Sequence, residues 1–285
     1  MAALAFGSSP SPETMAYLKH KGWKPGFSYK DVWGEEHAFA FTVAKAMELD
    51  VLKAIREALE KALEEGVPFE RFQAELEPRL RDLGWWGVKE MTDPQTGEVL
   101  EAQLGSPRRL RTIYWANTRS ARAAGQWDRA QRTKAALPYL LYELGPSERH
   151  RPHHADKAGL ILPVDDTFWD AWMPQNGWGC KCRVRQIGEA EAARRGGVDN
   201  APLVPLRAWR NSRTGEVLQV PQGLDPAWAT NPGRNRQQNL DRMLADKLAA
   251  LPPDLREVAV KDLRASGRAD GALDLLSGVE PQEKP

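Results

Sequence analysis

Cysteine is nearly absent: two residues in 285, at Cys180 and Cys182. Separated by one residue, they cannot staple distant parts of a fold, which excludes a secreted disulfide framework and suits buried thiols or metal ligands in a reducing compartment. Long hydrophobic runs are missing, and nothing approaches the roughly 20 apolar residues of a membrane helix. Excess charge is missing too: 40 Lys and Arg stand against 39 Asp and Glu, so binding to nucleic acid would need a local patch. The N-terminus has neither the basic start nor the apolar core of a secretion signal. We therefore expect a soluble cytoplasmic protein with no membrane partner. The chain does have 41% hydrophobic residues, ample for a packed core, and 11 tryptophans, several beside Gly or Pro (Trp23, Trp85, Trp86, Trp178).

Hydrophobic periodicity predicts helices first. Apolar residues from Phe39 through Leu52, Ile55, Leu59 and Leu63 recur near the 3.6 period, predicting one helix over 35–65 that stops at Gly66. A second helix over 69–83 would complete a hairpin, with Pro78 bending or shortening it. A short helix over 13–21 precedes them. Residues 91–107 carry turn chemistry at Asp93-Pro94 and Thr96-Gly97 and read as a loop or small hairpin. Ser106-Pro107 is an N-cap followed by proline at N1, starting a helix over 107–135. Strand candidates lie at 138–144, 160–163 and 181–187, followed by a short helix over 189–195. A hairpin is expected over 211–220, then helices over 236–251 and 255–276 and a polar end. No internal repeat or low-complexity tract is read. The fold class is α+β: a helical N-terminal part packed on a small antiparallel sheet with a Cys/His/Trp-rich loop, and a helical C-terminal tail. The expected organisation is an arm at 1–30, a main domain at 31–235 divided near 135, and a tail at 236–285.

The segment from Arg149 to Arg185 holds both cysteines and three of the five histidines. His154, Cys180 and Cys182 are the first candidate metal ligands, His153 the fourth. Zinc accepts two cysteines with two histidines, or with one histidine and a carboxylate such as Asp156, Asp165 or Asp166. One residue between the cysteines is short for a structural zinc site, although on a strand both sulfurs would share a face. The alternative is two packed thiols and histidines that serve turns. The spacing lacks the His-x-Glu of zinc deaminases and the His-Glu-x-x-His of zincins. A thiolate–imidazole pair of Cys180 and His154 would still need an oxyanion hole that the sequence does not reveal.

Helix 107–135 carries eight basic residues against one acid, Asp128. At about 100° per residue, Arg111, Arg122 and Arg129 fall on nearly one line. They would track the phosphates of double-stranded DNA without sequence preference, or form a solvated face paired with the acids of 57–77. Ala121, Ala123, Ala124 and Gly125 leave room for a close neighbour.

Three motifs also carry a family resemblance: Arg151-Pro152-His153-His154 with Gly159, then Leu162-Pro163 to Phe168-Trp169, then Pro174-Gln175-Asn176-Gly177-Trp178-Gly179-Cys180-Lys181-Cys182-Arg183. The segment resembles the phage Mu F-like head morphogenesis proteins, the minor head proteins of tailed phages. Lys181 stands where the family commonly has Arg. The resemblance extends over 111–125, with Asn117 and Arg119 as polar anchors for the loop, and on to Gly223-Leu224-Asp225-Pro226. It makes Arg151, Pro152, Gly159, Asn176, Gly177 and Trp178 the structural signature, and His154 the matching histidine. It implies a non-enzymatic minor capsid protein, present in a few copies, that joins portal and capsid proteins in the host cytoplasm and ends in the virion head of a phage or prophage. The alternative is a metal-dependent hydrolase or nuclease using the His/Cys loop. Some relatives carry an added toxin-like nuclease domain, for which the residues after Gly233 are too few and too helical.

Overall fold

The computed structural model describes residues 10–278 apart from Trp33 and Arg268. The first nine residues of the arm and the polar end lie outside the described residues. The chain forms two compact units that divide between Gly233 and Arg234.

The first unit opens with α1 (Pro12–Lys19), whose N-cap Ser11 accepts a hydrogen bond from the Thr14 amide. Arg56 ties down the other end, donating to the carbonyls of Lys19 and Lys21. The helix expected from residue 35 starts only later. Residues Gly34–Ala38 form a 3-10 turn, and β1 (Gly22–Trp23) pairs in parallel with β2 (Ala40–Phe41). Phe39 to Val43 is rich in aromatic and β-branched residues, and Lys45 takes a left-handed φ of 65° that no right-handed helix accommodates. The true helix is α2 (Leu49–Glu64). With α3 (Phe69–Asp82) it forms the expected hairpin across Gly66, whose φ is 67°. Leu52, Ile55, Leu59 and Leu63 meet Phe72, Leu76 and Leu80 in the first core. Pro78 sits inside α3 without ending it.

A hairpin follows, β3 (Val88–Thr92) with β4 (Val99–Gln103), and then α4 (Pro107–Thr133). At 1.5 Å per residue, these 27 residues run about 40 Å. The helix serves two cores. Leu110, Ile113, Tyr114, Ala121 and Ala124 belong to the first, Trp127 and Ala130 to the second. The neighbour for which its small residues leave room is α1.

The second core is built on a three-stranded antiparallel sheet: β5 (Tyr139–Glu143) lies between β6 (Ile161–Pro163) and β7 (Arg183–Ile187). Leu140, Tyr142, Leu162 and Val184 face this core with Phe168, Trp169 and Trp172, the last two on the single turn α6 (Trp169–Trp172). Another single turn, α5 (Pro152–Ala155), lies between β5 and β6. Leu141, Ile161 and Ile187 face the other way, against Ala192 of α7 (Glu189–Arg194). The α+β architecture is as expected.

The hairpin of β8 (Leu206–Arg210) and β9 (Val217–Pro221) corrects the reading that the chain has no internal repeat. Thr96-Gly97-Glu98-Val99-Leu100 recurs as Thr214-Gly215-Glu216-Val217-Leu218. The two turns match bond for bond. Asp93 and Asn211 each donate their amide to the carbonyl of Glu98 or Glu216 at 2.8 Å, and accept from Gly97 or Gly215 at 2.8 Å. Their side chains accept from the amides of Gln95 and Arg213 at 2.9 Å, and the glycines have φ of 75° and 77°. The two tips touch: Arg213 donates to Asp93 at 2.5 Å, and Gln95 to the Arg213 carbonyl at 2.6 Å.

The second unit is helical. α8 (Pro232–Ala249) starts at the end of the first unit and is followed by α9 (Pro253–Ser266) and α10 (Asp270–Leu276). One helix was expected over 255–276; Gly267, left-handed at φ 61°, splits it in two. No helix among the described residues is long and apolar enough to cross a membrane.

Two predictions follow from this packing. A Cβ on Gly125 would lie 2.2 Å from the Thr14 hydroxyl and 2.9 Å from its amide nitrogen. Better helix propensity would return about 1 kcal/mol, but overpacking against backbone costs about 1–3 kcal/mol, so Gly125→Ala should lower the urea midpoint. An unchanged midpoint would mean that α1 moves aside freely. Lys21 is buried over the Tyr17 ring, and burial, with the Arg56 charge, lowers its pKa from 10.5 to about 7. Between those values the unfolded chain holds a proton that the folded chain has lost, so this residue's contribution to stability climbs with pH across the window and is least favourable below about 7. Lys21→Met should stabilise the protein at pH 6 and flatten its profile between pH 7 and 10, read by thermal melts; a parallel profile would exclude Lys21 as its source.

Candidate metal centre

The signature loop, residues 174–182, runs through the second core's rim and is held from several elements. Asn176 is fully buried; its side-chain oxygen accepts from the Tyr142 hydroxyl of β5 at 2.9 Å and its carbonyl from the Asp225 amide at 3.2 Å. Gly177 packs on Arg151, where an added Cβ would lie 3.1 Å from the guanidinium, and Arg151 donates to the Trp178 carbonyl at 2.8 Å. Trp178 meets Trp228 and Tyr29 edge-on. From α4, Arg119 stacks over Trp115 and donates to the Cys180 carbonyl at 2.7 Å. Gln175 donates to the Trp115 carbonyl at 3.2 Å. Asn117 instead bonds back to Ile113 within its own helix. Gly159, at φ 87°, gives its amide to the Tyr142 carbonyl.

These ties bring His154, Cys180 and Cys182 together. Pro152 is the first residue of α5 and His154 lies on that turn, 2% exposed. Cys180 closes a turn onto the Gly177 carbonyl across left-handed Gly179. The strand begins at Arg183 rather than Lys181, so both cysteines lie on its approach. His154 Nδ1 is 3.7 Å from Cys180 Sγ and 3.8 Å from Cys182 Sγ. Its Nε2 is 3.2 Å from the Gly223 carbonyl. A carbonyl only accepts, so Nε2 carries a proton and Nδ1 is the ring atom turned to the sulfurs. The donor atoms of all three residues lie within 4.8 Å of one another, the one such group among the described residues, and they line a cleft of about 230 Å³ with His150, Arg151 and Lys181.

One thiolate is favoured here. Cys182 is drawn down, chiefly by the Cys180 thiol and, against burial, by His154. Cys180 is pushed up by Cys182 beside it and by burial, and Tyr142 is raised by burial and by Cys182.

His153 does not join this group. It is exposed, one residue round the turn, with its Cβ against Gly223. Nor does a carboxylate: Asp165 pairs with Lys134 and Asp166 caps the Phe168 amide. Arg111, Arg122 and Arg129 are exposed on α4, and Arg111 lies over the Phe69 ring. Four acids of 57–77 pair with bases of their own hairpin, in Arg79–Glu57, Arg56–Glu60, Lys61–Glu75 and Arg81–Glu77. Sequence reasoning missed Tyr142, Gly145 and Gly223. At Gly145 a Cβ would fall 1.9 Å from the Lys181 carbonyl; the Gly-Pro pair at the end of a strand candidate was the available signal.

Comparison with known proteins places this arrangement. Residues 53–185, from α2 to β7, match the family described as Phage Mu protein F like protein. Through this segment the chain is similar to the Phage Mu protein F like family. It is 36% identical over 282 residues to capsid assembly protein F of Escherichia phage Mu, covering 93% of this chain and 64% of that protein. It is 41% identical over 160 residues to the Mu-like prophage FluMu F protein of Haemophilus influenzae, covering 56% of this chain and 37% of that protein. The chain thus spans less than two thirds of the length of either relative. No solved structure matches it. The family match runs through His154, Cys180, Cys182 and the loop's anchors on α4 and β5.

Tyr142→Phe would leave the buried Asn176 oxygen without its donor. A loss of about 1–3 kcal/mol is expected from urea unfolding. A change below about 0.5 kcal/mol, the usual range for surface substitutions, would show that the loop is not anchored through Asn176.

Proposed function

We propose that this Mu F-like chain is a structural, non-enzymatic component of phage or prophage head assembly. The observation that carries this reading is the 36% identity, over 93% of the chain, to a protein named for capsid assembly. Portal and capsid proteins are its partners in the host cytoplasm, and the virion head is its destination. The site supports the same reading: the polar side chains around the loop are engaged in holding it, Arg119 and Arg151 by its carbonyls and Tyr142 by the Asn176 side chain. Contact with packaged DNA belongs to the proposal as well. Arg122 and Arg129 are exposed on α4, and Glu57, Glu60, Glu75 and Glu77 are paired within their own hairpin.

Mass spectrometry of gradient-purified heads, with the portal pulled down in parallel, tests the assembly role. A few copies per particle, co-purifying with the portal, are expected. A chain absent from particles and free in the lysate would refute it, and would revive the metal-dependent hydrolase reading, to be assayed as nuclease activity with added zinc or magnesium.

A further inference from the structure

The candidate group has more geometry than two packed thiols require. A thiol–imidazole hydrogen bond needs one sulfur on the Nδ1 lone pair, yet two lie at nearly equal distance, 3.7 and 3.8 Å. Zinc bonds of about 2.3 Å to sulfur and about 2.0–2.1 Å to nitrogen, at tetrahedral angles, set each sulfur about 3.5–3.6 Å from the nitrogen. The observed separations are those of a tetrahedral edge relaxed by one to three tenths of an ångström.

The surroundings point the same way. The proton on Nε2 is fixed by the Gly223 carbonyl, the arrangement by which a ligating histidine is oriented through its other nitrogen. The Arg119 guanidinium lies at the Cys180 carbonyl, bringing positive charge to a site that would hold two thiolates. Soft sulfur and imidazole donors select zinc over magnesium or calcium.

We propose that His154 Nδ1, Cys180 Sγ and Cys182 Sγ form a zinc site whose fourth position opens into the cleft beside His150 and Arg151. The ion would clamp α5 and the signature loop onto the start of β7, joining segments 26 and 28 residues apart in sequence. His153 is outside the ligand set. The site is independent of the assembly role, since a virion protein and a hydrolase could each contain it.

The test is metal analysis of the purified full chain after incubation with zinc and exhaustive dialysis. About one zinc per chain is expected, falling below about a tenth in Cys182→Ser and His154→Gln and unchanged in His153→Gln. Cobalt(II) added to the metal-free wild type should give the visible bands of a tetrahedral ion together with a thiolate charge-transfer band, which needs no variant to fold. Wild type that retains no zinc and shows no such spectrum overturns the proposal. So does zinc held equally by Cys182→Ser and His154→Gln, or lost from His153→Gln.

Discussion

A loop buried at the rim of a core must find partners for its backbone polar groups, and in residues 174–182 three carbonyls find theirs outside the loop. Asn176, Trp178 and Cys180 hand their carbonyls to Asp225, Arg151 and Arg119. Each unmet group would cost of order 1–3 kcal/mol, so the loop can lie here only when β5, α4, α5 and the 223–228 segment are all in place. The cysteines and His154 converge as a result of that requirement. Their meeting is a product of the whole first unit.

The length and composition of α4 follow from the same demand. Its early turns supply leucine, isoleucine and tyrosine to one core, its later turns tryptophan and alanine to another. Between them sit Arg119, which reaches the loop, and Gly125, which admits α1. A single rigid element thereby sets the position of the loop relative to the α2–α3 hairpin.

The parts legible in the sequence were those governed by local rules. Ser11 and Ser106 announce helix starts, Gly66 announces a stop, and the apolar spacing of α2 and α3 reports their shared face. His154, Cys180 and Cys182 stood out because soft donors are rare in this chain and crowd one window. What stayed hidden depended on long-range contact. The two-residue pairing of β1 with β2 borrows its partner from 18 residues away in sequence, so Phe39 to Val43 read as helix. His153 and His154 are adjacent in sequence but about 100° apart around a helical turn, so only one can face the sulfurs. Tyr142 and Gly223 lie 34 and 69 residues from their partners, and no local pattern reveals those partners. The repeated Thr-Gly-Glu-Val-Leu was visible but easily passed over, since its copies stand 118 residues apart.

That duplicated turn has a consequence for how the chain can change over time. Two copies of one local design normally drift independently, because each needs only its own glycine and its own Asx side chain. Here the copies are locked at their tips, and the lock is asymmetric: position three of the turn is Arg213 in one and Gln95 in the other, and only the arginine spans to the opposite Asp93. Copying the second turn over the first would keep both backbone shapes. It would also leave Arg213 facing asparagine, a neutral partner, in place of Asp93. The pair can therefore evolve only in concert, as a key and its keyhole rather than as two spare parts.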